Sequence, residues 1–365
     1  MNDLNPIAFT RGVPATESFP IDDVARAASD AIRNYGEVIL QYGSAYGFQP
    51  LREWLADWHG VTIENVLCSN GSLQIVEFLC SLLFAPENNT VFVEAPTYDR
   101  TITTLRKHGA NLISIPLETD GPDIAALETA LQEHKPVFFY IIPDFQNPAG
   151  ATCSPEKRER LIELAREHGF LYLEDAPYRL LRYRGAAPTS LFELGPDVVL
   201  YMASFSKLIG PGPRMGYIVG DTELLQRLAK VAENTYITPS LLSHGIVYEL
   251  IQGGWLEPQI EKLKTLYAPR LEATLAALDA YLPDADSTRP EGGFFLSLSL
   301  PEGVTTMEVR AAAAEVNLTL ADGRGFYANG GGEQFLRLPY CAMTEEELDA
   351  GIRRLADVVN TIRNG

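Results

Sequence analysis

The chain has 365 residues, 46% of them hydrophobic, enough to bury a large core and to divide into about two domains. Its 29 basic and 48 acidic residues leave a formal charge of −19, which repels phosphate backbones and argues against a nucleic-acid surface. Cys68, Cys80, Cys153 and Cys341 lack CxxC spacing, MNDLNPIAF lacks the basic and apolar regions of a signal peptide, and no apolar run reaches the roughly 20 residues of a membrane span, so the cytoplasm is the expected compartment.

In chain order, residues 1–34 read as an N-terminal arm expected to join a smaller C-terminal domain. SNGSLQ (69–74) opens a helical pattern over 72–84. Strand-like runs rich in β-branched and aromatic residues follow at VFVEAP (91–96), VFFYIIP (137–143), FLYLED (170–175) and VVLYMASF (198–205). Between the second and third lies SPEKRERLIELAREHG (154–169), a crossover helix with a capping serine, a proline in its first turn and a terminal glycine. The pattern at 258–282 predicts a helix bent at Pro269, leading to a second region with the strand GGFFLSLSL (292–300). This alternation predicts an α/β fold: a mostly parallel sheet in a large domain over 35–255, and a small α+β domain from 256–365 plus the arm.

Ligands of such sheets bind beyond the carboxyl ends of the strands. There the chain places Tyr98, Asn147, Asp175, Tyr178, Ser204, Ser206, Lys207 and Arg214. A buried lysine ammonium is costly without a paired charge, and Ser204, Ser206 and Arg214 offer no carboxylate, so a neutral or covalently modified Lys207 is the cheaper state. Taken singly, Asp175 also fits a helix cap, Asn147 a turn before Pro148, and Tyr98 and Tyr178 core aromatics. One chemistry uses all of them: pyridoxal phosphate needs a lysine for its aldehyde, a carboxylate for its ring nitrogen, donors for its phenolic oxygen and a cradle for its phosphate.

The chain resembles the fold-type I pyridoxal-phosphate enzymes of the class I/II aminotransferases, in the branch with 2-aminoadipate and kynurenine aminotransferases. The resemblance rests on LQYGSAYGFQPLREWLA (40–56), SNGSLQ (69–74), EAPTYDR (94–100), PDFQNPAGATCS (143–154), EDAPY (174–178), SFSKLIGPGPRMGY (204–217) and ANGGGEQFLRLPY (328–340). It implies a mostly parallel seven-stranded sheet. It further implies that Lys207 forms the internal aldimine and acts as the base, that a low-pKa Asp175 pairs with the ring nitrogen, that Asn147 and Tyr178 donate to the phenolic oxygen, and that Tyr98 stacks on the ring. Ser72, Leu73, Ser204, Ser206 and Arg214 would cradle the phosphate, with Gly210 and Gly212 turning the chain so that Arg214 returns to it. Tyr42 would reach the phosphate of the partner subunit in a homodimer, Arg337 would grip the substrate α-carboxylate, and Arg11 would touch the substrate. Alone, Tyr42 and Arg11 fit solvated loops and Arg337 an exposed strand residue.

The implied activity is transfer of the amino group of an α-amino acid to a 2-oxo acid, by way of pyridoxamine phosphate. A lyase, a β/γ-replacement enzyme or a cyclase would share every motif and is the alternative. A ligand-sensing half of a transcription factor would need a basic DNA-binding module, which residues 1–40 do not provide. Ala176 in place of a second acid, Pro213 within GPGPR, and RLPYC (337–341) depart from the family pattern; they bear on the substrate pocket rather than on the cofactor chemistry. His59, His108, His134, His168 and His244 show no metal spacing.

Overall fold

The apolar runs become strands because their side chains are buried on both faces, which favours β-branched and aromatic residues over a polar alternation. The computed structural model describes residues 5–364. Its strands are β1 (Ile7–Phe9), β2 (Val66–Ser69), β3 (Thr90–Ala95), β4 (Asn111–Glu118), β5 (Gly121–Pro122), β6 (Phe138–Ile141) and β7 (Leu171–Asp175), followed by β8 (Val199–Ser204), β9 (Gly216–Val219), β10 (Asp286–Ser287), β11 (Phe295–Ser299), β12 (Leu318–Leu320) and β13 (Phe335–Pro339).

The main sheet has the order β2-β9-β8-β7-β6-β3-β4-β5. From β8 to β4 every pairing is parallel, β9 runs antiparallel to β8 and to β2, and the two-residue β5 extends the seven longer strands at one edge. Period-2 alternation sends Phe92, Phe139, Ile141 and Tyr172 to one face and Val91, Val93, Tyr140 and Leu173 to the other, each within its own apolar core. Burying such a side chain contributes about 1.5–3 kcal/mol. The crossover helix spans Pro155–His168: Ser154 Oγ accepts from Lys157 N at 3.3 Å, and Gly169 closes it at φ +69°, which a side chain would strain.

The C-terminal part has its own core. There β10, β11 and β13 form an antiparallel sheet in which Ser297 pairs with Arg337, and β1 pairs in parallel with β12. The arm expected over 1–34 is divided, its residues 1–4 lying outside the described residues. β1 pairs with β12 at the C-terminal core, whereas the helix Ile21–Ile39 packs on the helix Leu241–Gln252, where Gly245 lets Ala31 and Ile39 approach closely. Ala27, Ala31 and Ile39 therefore belong to the large core. The helix Leu256–Tyr281 runs through Pro269 as a single element. Its first half, with Ile260 and Leu263, is buried in the large core, and its second half, with Leu271 and Leu275, in the small one.

Candidate active site

The carboxyl ends of β3, β6, β7 and β8 open on one cavity of about 250 Å³. Tyr98 follows β3, Asn147 follows β6, Asp175 ends β7, and Tyr178 lies just beyond it. Ser204 ends β8, Ser206 and Lys207 occupy the turn that follows, and Arg214 precedes β9. Ser72 and Leu73 enter from the first turn of the helix Ser72–Leu83. All ten predicted residues at these positions line this one cavity.

Asp175 is buried, and Tyr140 OH donates to its Oδ2 at 2.7 Å. Its Oδ1 is buried without any hydrogen-bond partner. Burial pushes the carboxyl up to about 6, against the lowering effects of the Tyr140 hydrogen bond and the Lys207 charge. Here desolvation outweighs one hydrogen bond; a cation at Oδ1 would act in the opposite direction, toward the low-pKa carboxylate expected beside a ring nitrogen.

Lys207 Nζ donates to the carbonyl of Gly12 at 3.1 Å and makes no ion pair among the described residues. It lies 5.6 Å from the ring centre of Tyr178 and 5.5 Å from that of Phe294. Burial lowers its pKa, and the Arg337 and Arg214 cations act in the same direction, opposed by Cys341 and Asp175.

At the other side of the cavity, β9 runs against the start of the helix Ser72–Leu83 so closely that a Cβ on Gly216 would lie 2.4 Å from Ser72 N. Free N–H groups of a helix start are suited to an anion. Gly71, at φ +91°, leaves room for Arg214, whose Nη2 would lie 2.3 Å from a Cβ at that position. Ser204 Oγ lies 2.9 Å from Ser206 Oγ and 3.0 Å from Met215 O. In the turn toward Arg214, Gly210 (φ +130°) and Arg214 itself (φ 52°) take positive φ.

Arg337 lies buried on β13, above the ring of Phe295 at 4.8 Å and that of Phe326 at 4.6 Å. It donates to Asn147 Oδ1 at 2.9 Å and to Thr10 O at 2.6 Å. Its Nε has no partner, and no carboxylate pairs with it among the described residues. Arg11 is exposed and stands between the two residues whose carbonyls meet Arg337 and Lys207. Tyr42 is 72% exposed and is not brought to the cavity by its own chain.

Sequence reasoning missed Tyr140, the carbonyls of Thr10 and Gly12, and the buried pair Glu94 and Gln146. Tyr140 left one signal: it shares strand parity with residue 142, which lines the cavity, and β6 neighbours β7. Among the described residues no group of three His, Cys, Asp or Glu side chains is placed to hold a metal ion.

This set of groups fits pyridoxal phosphate. The orphaned Asp175 Oδ1 suits a protonated ring nitrogen, the unpaired Lys207 amine an aldehyde, and the space kept by Gly71 beside Arg214 a phosphate. A mostly parallel sheet with that aspartate ending β7 and that lysine after β8 defines a pyridoxal-phosphate-dependent transferase of fold type I. The family model for aminotransferase class I and II matches residues 5–355, so the chain belongs to that family and is a pyridoxal-phosphate-dependent transaminase.

It is 38% identical to the 2-aminoadipate transaminase of Thermus thermophilus over 96% of this chain and 89% of that protein. It is 32% identical to aromatic-amino-acid aminotransferase 1 of Thermococcus litoralis, over 97% and 88%. Among solved structures, an α-aminoadipate aminotransferase of Thermus thermophilus, complexed with N-(5'-phosphopyridoxyl)-L-leucine, superposes with a TM-score of 0.93 at 35% identity, covering 98% of this chain and 93% of the other. The kynurenine aminotransferase of Pyrococcus horikoshii gives 0.94 at 31% identity, covering 98% and 92%. These relatives favour transamination over the lyase, replacement or cyclase alternative.

Proposed function

We propose that Lys207 and Asp175 carry the transamination, with Tyr98, Asn147 and Tyr178 at the cofactor ring, and Ser72, Leu73, Ser204, Ser206 and Arg214 at its phosphate. Bound pyridoxal phosphate supplies an aldehyde that takes up the amino group and a cationic ring that draws electrons from the substrate Cα. Lys207 moves the proton at that Cα. Burial, the first of the causes, lowers its pKa, the direction that favours a base.

Asp175 would hold the ring nitrogen through its unpartnered Oδ1 while Tyr140 holds Oδ2, and a cation there would lower the carboxyl. With its Oδ1 on Arg337, Asn147 has its amide N–H groups left to hold the phenolic oxygen, which Tyr178 would share. Tyr98 covers the ring face. Arg337 exchanges Thr10 O for the substrate α-carboxylate, since a desolvated guanidinium gains most from a bidentate anion.

Arg11, carried between the carbonyls that meet Arg337 and Lys207, faces the substrate side chain. The donor is an α-amino acid of the kind for which the relatives are named, 2-aminoadipate or an aromatic amino acid, and a 2-oxo acid is the acceptor. The active unit is a cytoplasmic homodimer in which Tyr42 serves the partner's phosphate. The exposed Val38, Leu40, Tyr42 and Ile237 support this, because such side chains are favoured at an interface.

The observation that carries this reading is the buried, unpartnered Asp175 Oδ1 in one cavity with a buried lysine that forms no ion pair among the described residues. Absorption spectra of the purified protein with pyridoxal phosphate test it. The expected result is a yellow form that bleaches on adding one class of amino acid without any 2-oxo acid, releasing the matching oxo acid. No visible band after adding pyridoxal phosphate would overturn the reading.

A further inference from the structure

A buried cross-link lies behind the residues assigned to the ring. Gln146 immediately precedes Asn147 and is 1% exposed. Its Nε2 donates to Glu94 Oε2 at 3.0 Å and to Pro96 O at 2.8 Å, and its Oε1 accepts from Ala149 N at 2.8 Å. Both side-chain donors and the acceptor are thus engaged. Glu94, also 1% exposed on β3, accepts on the same Oε2 from Ile142 N, at 3.1 Å, just after β6.

Two loops meet at this amide. Pro96 opens the loop that carries Tyr98, and Ala149 closes the turn that carries Asn147. The main chain of Gln146 is held as well, its N–H donating to Ala151 O at 2.8 Å and its carbonyl accepting from Gly150 N at 2.6 Å. Asn147 in turn holds Arg337 at 2.9 Å. A displacement of the Gln146 amide therefore reaches three groups of the site without Gln146 lining the cavity.

We propose that Gln146, with Glu94 as its buried partner, is a positioning residue for the transamination, fixing Tyr98 and Asn147 relative to each other and, through Asn147, aligning Arg337. The proposal rests on the ring and carboxylate roles given above. Burial holds the Glu94 carboxyl up at about 8, so near neutral pH the link adds little charge beside Asp175. An apolar residue of similar volume at 146 would keep the packing but release both loops. A carboxyl at 146 would lack the amide N–H groups that donate to Glu94 and to Pro96 O, whereas exchanging the two residues restores one amide facing one carboxyl.

The test compares the wild-type protein with Gln146→Leu, Gln146→Glu and the exchange variant Glu94→Gln/Gln146→Glu, each loaded with pyridoxal phosphate. Measured are the pH midpoint of the cofactor absorption band, the dissociation constant for pyridoxal phosphate, thermal stability, and kcat/KM below the melting temperature. Gln146→Leu is expected to lower kcat/KM by about 100-fold, as displacement of positioned groups does, and to move the spectral midpoint. The exchange variant is expected to recover activity and midpoint relative to Gln146→Glu. A folded Gln146→Leu protein with wild-type midpoint and kcat/KM would overturn the proposal. If that variant does not fold, an exchange variant no better than Gln146→Glu would overturn it. A wild-type protein that binds no pyridoxal phosphate would instead refute the underlying reading.

Discussion

Asp175 and Arg337 are both buried charged groups of the site, and they are held in different ways. Asp175 is fixed by Tyr140, 35 residues away on the neighbouring strand of one sheet. Arg337 is fixed by Asn147 and by the Thr10 carbonyl, 190 and 327 residues away. The first arrangement is complete once β6 and β7 pair. The second exists only when the small domain, the turn after β6 and the N-terminal segment come together. The end assigned to the cofactor is therefore a property of the sheet, and the end assigned to the substrate is a property of the assembled chain.

The strongest way to break the first end is Lys207→Ala. With the one lysine among the described residues that line the cavity removed, transamination is expected to fall by about 10,000-fold or more, while pyridoxal phosphate still binds through the remaining contacts. Activity near wild type in a single-turnover assay would remove Lys207 from the chemistry.

Arg337→Gln separates the two ends. It is expected to lower kcat/KM for the amino acid by about 10- to 100-fold, as loss of a charged hydrogen-bonded contact does, and to leave cofactor affinity unchanged. Weaker cofactor binding with an unaltered KM would move Arg337 to the other end.

The smallest effect sharpens the comparison through stability. Glu174 precedes Asp175 on β7, faces the opposite core, accepts from Phe192 N on Oε2 at 2.8 Å and leaves Oε1 unpartnered. Burial pushes its carboxyl from an ordinary 4.5 up to about 7. The folded chain thus retains a proton that the unfolded chain gives up, so its stability falls as pH rises from about 4.5 to about 7 and is level in this respect above that. Glu174→Gln should remove this slope, worth on the order of 3 kcal/mol at most. Denaturant melts at a series of pH values check it; an unchanged slope would show that Glu174 does not titrate in that window. Activity should stay close to wild type.

Most of the cofactor end was legible because strand ends are legible. FLYLED and VVLYMASF announce buried strands by composition, and a charged residue at the close of such a run is conspicuous. Tyr140 was hidden because one aromatic inside VFFYIIP is indistinguishable from its core neighbours. The substrate end was less legible because Thr10 and Gly12 act through main-chain carbonyls, which every residue possesses. Ala27, Ala31 and Ile39 reveal a buried helix face, but not which domain covers it, so the arm was divided only by the fold. Glycine content does not tell which residue takes a positive φ, and here Arg214 does so itself.

The helix Leu256–Tyr281 has a mechanical consequence. Pro269 cannot donate the rung that would close on the carbonyl of Thr265, and this gap falls where the helix passes from one apolar core into the other. The rod running between the two cores is therefore weakest in bending where it leaves one and enters the other.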